Sequence, residues 1–121
     1  MATSSLTEAV FSLPETDQRG GVSLAREFAR HTALTCGYRG SHEDVVLVVN
    51  EFTTNAVCRG SGRPLVRIAA DEHRLRVEVA DDATAELRAG SWGLRLVTRL
   101  CRSWGVTERA GQKVVWCELR A

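Results

Sequence analysis

Glu51 and Asn55 lie four residues apart in the run DVVLVVNEFTTNAVCR, residues 44–59, and their types and spacing could do chemistry. Val45, Val48, Val49, Phe52 and Ala56 recur through the same run at helical spacing and define a buried stripe. Glu51 and Asn55 fall on its flank, so their side chains leave adjacent turns in the same direction. The amide oxygen of an asparagine can ligate a hard cation such as Mg²⁺, which takes one or two protein oxygens beside waters and phosphates. A carboxylate next to it can hold or deprotonate a water or hydroxyl. An amphipathic helix with an inert polar flank has the same pattern, and the spacing alone does not choose between them.

The elements that must position this pair are legible along the chain. Residues 8–13 (EAVFSL) read as a short strand closed by Pro14. A helix is predicted from near Gly21 to the stop at Gly37, with Ala25, Phe28, Ala29 and Thr32 inward and Arg26, Glu27 and Arg30 outward. Ser41, followed three residues later by Asp44, fits a capping box opening a second helix that stops at Gly60. LVRIAA and RLRVEVAD then form a hairpin; the second strand alternates with Leu75, Val77 and Val79 inward and Arg74, Arg76 and Glu78 outward. A third helix is predicted from about Gly93 to Ser103, with Val97, Leu100, Cys101 and Trp104 as its stripe and Arg95, Arg99 and Arg102 on the other side. WGVTER and KVVWCEL close the chain as a hairpin turning at Ala110-Gly111-Gln112. Strands and helices in this order predict an α+β fold: a two-layer sandwich with a mixed, mostly antiparallel sheet and helices on one face.

Composition sets the outer bounds. A chain of 121 residues supports one domain, 1–121, with a single core. A net charge of +1 argues against a module that works by neutralising nucleic-acid phosphates. The arginines at 95, 99 and 102 read instead as a solvated face. No apolar run approaches a membrane span, and the opening MATSSLTEAV has no basic segment followed by an apolar one, which predicts a cytoplasmic protein. Cys36, Cys58, Cys101 and Cys117 are widely separated, each in or beside an apolar segment, and read as small buried reduced thiols. His31, His42 and His73 have no ligand-like spacing.

Three separated segments carry a resemblance: EFTTNAV on the second helix, VEVADD where a strand ends in Asp81, and GSWGLRLV opening the third helix. With the FSLP strand, the LAREFAR helix, RSWGV and the closing GQKVVWCEL, they make the whole chain resemble the Bergerat-type ATP-binding fold of gyrase, histidine kinases and heat-shock chaperones. Within it the chain looks most like the small anti-sigma-factor serine kinases and their bacterial regulatory relatives. The resemblance implies ATP and Mg²⁺ as cofactors, with Asn55 on the metal and Glu51 as the catalytic acid that orients or deprotonates the attacking hydroxyl. It implies Asp81 as acceptor from the adenine amino group, and Gly90, Ser91 and Gly93 as the glycine box beside phosphate. Its implied partners are a small antagonist (anti-anti-sigma) protein phosphorylated on Ser or Thr, a sigma factor, and a second copy in a homodimer.

The chain also departs from that pattern. Arg59 stands where many relatives have His, either reaching a phosphate with its forked cation or interacting with the helix C-terminal dipole. Val114 stands where relatives usually place Thr, removing a hydroxyl that could reach phosphate. The stretch between Asp81 and Gly93 is short and not glycine-rich, so a lid that excludes water from the triphosphate would be curtailed. These departures define a second reading, a non-catalytic module that kept the fold and binds its partner with weak or no ATP binding.

Overall fold

Alternating apolar residues dictate a sheet with one covered face, and helical stripes of matching length cover it. The computed structural model describes residues 6–14, 18–59, 63–81 and 92–121. In chain order they form β1 (Thr7–Ser12), α1 (Gln18–Thr35), α2 (His42–Arg59), β2 (Leu65–Ala70), β3 (Arg74–Asp81), α3 (Trp92–Leu100), β4 (Ser103–Arg109) and β5 (Gln112–Arg120). The strands make one sheet in the order β1-β2-β3-β5-β4. All four pairings are antiparallel, so the sheet expected to be mixed has no parallel pair among the described residues. The β2–β3 hairpin has the predicted bounds. Its turn is an Asx turn in which the Asp71 carboxylate accepts from the backbone N–H groups of His73 and Arg74 at 2.8 and 2.9 Å.

Val66, Ile68, Leu75, Val77, Val79, Cys117 and Leu119 point to one face and are buried. Ala25, Ala29 and Ala33 of α1, and Val45, Val48, Val49 and Phe52 of α2, close over them. Alanines on α1 let it lie close to α2, and the two helices are also joined by Arg26, whose Nη1 donates to the Asn50 side-chain oxygen at 2.9 Å. Arg26, predicted to face out, is therefore partly buried at the helix interface. Phe52 is the largest fully buried side chain among the described residues; truncating it to Ala would cost about 3–5 kcal/mol. Thr53, a buried polar residue beside it, is satisfied locally by donating to the Val49 carbonyl at 2.7 Å.

Helix ends follow local chemistry. Ser41 caps α2, its Oγ accepting from the Asp44 N–H at 3.2 Å. α1 stops before Gly37, which holds φ +70°. Gly40 has its own constraint, since a Cβ there would collide with the Tyr38 ring. α3 ends at Leu100, three residues short of the prediction, because Arg102 N–H donates to the Glu118 carbonyl at 2.8 Å and β4 begins. Pairing with β5 outcompetes another helical turn. Cys101 and Trp104, assigned to the helix stripe by spacing, still pack on the core from the connection and from β4. The β4–β5 turn has two central residues at positive φ, Ala110 (52°) and Gly111 (80°), the signature of a type I′ turn closed by Arg109 and Gln112.

Candidate functional site

The Arg39 N–H donates to the Glu72 carbonyl at 3.0 Å, which anchors the α1–α2 connection at the β2–β3 turn. From that end α2 and β3 set out side by side, and the two elements pack against each other. α2 has 18 residues and β3 has 8, so at their standard rises they span about 27 and 26 Å. Their far ends therefore coincide. Asn55, one turn from the end of α2, and Asp81, the last residue of β3, lie at the same end of the sandwich.

Asp81 continues the inward alternation of Leu75, Val77 and Val79, so its carboxylate faces the helix layer and not the open side of the sheet. It is 6 % exposed, the one buried carboxylate among the described residues. A buried acceptor at the edge of the apolar core suits a flat, hydrogen-bonding ring such as adenine. Glu51 and Asn55 are partly exposed on the flank of α2, beside buried Phe52 and Ala56. Their oxygens are hard donors, suited to Mg²⁺ and to a hydroxyl. These residues fit the group the sequence implies.

The remaining predicted residues are described in part. Arg59 is the last residue of α2, and its side chain lies outside the described residues. Gly90 and Ser91, with the 82–89 stretch, also lie outside them. Gly93 is the second residue of α3, in its first turn, where N–H groups have no helical acceptor. Val114 needs a correction. It pairs with Ala80, one residue out of phase with Asp81, and so sits on the open face beside Leu65 and Ala80. A Thr hydroxyl at this position would point away from the interlayer space, so Val114 does not weaken a site there.

Cys58 is a second correction: it is exposed, whereas Cys117 is fully buried and Cys36 and Cys101 are intermediate. It falls one residue before the end of α2, past the last turn of the buried stripe. No group of His, Cys, Asp and Glu that could hold a metal by itself occurs among the described residues. None of their helices is long and apolar enough to cross a membrane.

Sequence reasoning missed a charge cluster on the open face. Glu78 accepts from Arg76 Nε at 3.0 Å and from Arg109 Nη1 at 3.2 Å. The Arg76 guanidinium also stacks over Trp116, 4.3 Å from the ring centroid. Trp116 in turn covers Gly105, where a Cβ would come within 2.9 Å of the indole Nε1. Burial pushes the Glu78 carboxyl up, but hydrogen bonds from Arg109 and Arg76 outweigh it and hold the group below the usual carboxylate range. Depressions on this face, lined by Arg67, Glu78 and Arg109, are open to solvent and lie across the sheet from Asp81. The Arg76/Glu78 pair was legible at two-residue spacing; Arg109 joins it only through the strand order.

No family model matches the chain, and no curated protein matches it. Among solved structures it is similar to the crystal structure of the RsbU and RsbW domains of Rv1364c from Mycobacterium tuberculosis, with a TM-score of 0.68 and 22% sequence identity. The match covers 94% of this chain and 32% of that one, so this chain spans about a third of its length. At this identity the likeness establishes architecture. The architecture is the two-layer α+β sandwich expected from the sequence.

Proposed function

We propose that this protein is a cytoplasmic regulatory ATP-binding domain of the anti-sigma kinase type. What supports the reading is buried Asp81 as the last residue of β3 and partly exposed Glu51 and Asn55 towards the end of α2, two elements that pack together. Asp81 would accept from the adenine amino group. Asn55 would hold Mg²⁺ through its amide oxygen, and Glu51 would orient a Ser or Thr hydroxyl of a small antagonist protein and take its proton. Gly90, Ser91 and Gly93 would offer backbone N–H groups to phosphate, with Arg59 a further cation at the end of α2. ATP·Mg²⁺, when bound, supplies the γ-phosphoryl group. Phosphorylation adds a charge of about −2 to the partner and would break the complex, freeing the domain for a sigma factor. A homodimer, and no direct contact with nucleic acid or membrane, complete the proposal.

One sequence feature favours a second reading, a non-catalytic interaction module. The ten residues from Asp82 to Ser91 contain a single glycine, Gly90, which limits how far such a segment can fold over a triphosphate. One experiment separates the two. Binding of a fluorescent ATP analogue is measured with and without Mg²⁺, and radiolabelled ATP is then supplied with purified antagonist. Mg²⁺-dependent binding and label on a Ser or Thr, lost in Glu51→Ala, is the expected result. Tight partner binding indifferent to nucleotide, with no label transferred, would establish the module.

A further inference from the structure

All four cysteines are free thiols, and two of them pack on the same part of the core. Cys117 is on β5, fully buried on the helix-facing side, and Cys101 follows α3, partly buried against the same core. The backbone brings them there: the residues just after each cysteine, Arg102 and Glu118, are joined by an N–H···O bond of 2.8 Å. The Cys101 thiol is the largest influence on the Cys117 thiol, which places the two groups as neighbours on the core. The neighbouring Cys101 thiol and burial push the Cys117 thiol far up, so it stays protonated, while Cys101 is the less buried of the two.

We propose that Cys101 and Cys117 are a redox-modification site, which a hydroperoxide converts into an intramolecular disulfide tying the end of α3 to β5. The Cys101 sulfur attacks one peroxide oxygen; the O–O bond breaks, and the departing hydroxide leaves as water with the Cys101 proton. Cys101 is then a sulfenic acid. The Cys117 sulfur displaces its hydroxyl, which takes the Cys117 proton and leaves as a second water. Two thiols lose two electrons in total, and hydrogen peroxide is reduced to two waters. The sulfurs must close to about 2.05 Å, which asks for rotation about the side-chain bonds of two neighbouring residues. The cross-link closes the β4–β5 hairpin into a covalent loop and fixes α3, which otherwise packs on α2 and β4.

The test uses the Cys36→Ser/Cys58→Ser protein, in which only the proposed pair remains. Treatment of the folded protein with hydrogen peroxide should remove both thiols, lower the intact mass by two hydrogen atoms and yield a linked peptide joining Cys101 to Cys117. The melting temperature should rise by about 5–10 °C, and dithiothreitol should reverse it. Adding Cys101→Ser should leave Cys117 a free thiol after the same treatment. Oxygen added to Cys101 without a cross-link, disulfides between copies, or two thiols that survive peroxide would each overturn the proposal.

Discussion

The backbone N–H of Arg39 and the carbonyl of Glu72 meet at 3.0 Å, and this contact registers α2 along β3. Because a helix advances about 1.5 Å and turns about 100° per residue, the side chains at the far end depend on where the helix starts. Asn55 and Asp81 share an end because both elements are tied at the other. A site assembled this way is sensitive to the length of α2 and indifferent to most of its exposed surface.

Asp81 should govern nucleotide identity. Its carboxylate would accept from the adenine amino group in the proposed site, whereas guanine presents a carbonyl there and would set acceptor against acceptor. A buried mismatch costs about 1–3 kcal/mol, so ATP should bind roughly tenfold or more tightly than GTP. Competition binding measures this directly. Equal affinity, or Asp81→Asn binding ATP as well as wild type, would remove Asp81 from the site.

Asn55→Ala and Glu51→Ala should behave differently. The first should abolish the Mg²⁺-dependent part of ATP binding. The second should leave binding largely intact and lower phosphoryl transfer by roughly 10²–10⁴-fold, the scale of a general base. Two variants that only melt earlier, with binding and transfer unchanged, would return the pair to a structural role.

Ala110 holds φ 52°, a conformation that disfavours a side chain with Cβ by about 1–2 kcal/mol. Ala110→Gly or Ala110→Asn should therefore stabilise the hairpin by about 0.5–1 kcal/mol. Thermal unfolding should show a rise of a few degrees. An unchanged or lower melting temperature would mean that the turn is not strained in solution.

Glu78 makes stability depend on acid. Its folded pKa lies below its unfolded value, so its contribution is complete above about pH 4.3 and is lost as the pH falls through the folded pKa. Denaturant midpoints measured downward from pH 5 should fall less steeply in Glu78→Gln than in wild type. Equal slopes would show that the Arg76 and Arg109 bonds do not form.

Gly105→Ala should destabilise the open face, since the new methyl group must displace the Trp116 indole and with it the stacked Arg76. Overpacking of this kind costs about 1–3 kcal/mol. A concurrent change in tryptophan fluorescence would locate the disturbance.

The fold was legible because nearly every element announces itself locally. The alternation in 74–81 set β3 to the residue, and the stripe from Val45 to Ala56 set α2. The sequence was silent where two interactions compete for one segment. Residues 101–103 carry a helical stripe, yet the hydrogen bond between Arg102 and Glu118 claims them for the sheet. Side-chain facing at Val114 depended on strand register, which only the pairing with Ala80 reveals. Of the candidate site, the residue types and their order could be read from the chain. That Asn55 and Asp81 share an end could not, because it rests on a main-chain contact between Arg39 and Glu72.

Strand order has a consequence for how the chain is made. β5, the last strand in sequence, lies between β3 and β4. As the polypeptide leaves the ribosome, β1, β2 and β3 can pair in turn, but β4 emerges with no neighbour and β3 keeps one bare edge. Both wait for the same segment, Gln112–Arg120. The nascent domain is thus half a sheet until its final strand arrives, and that strand then zips two edges at once.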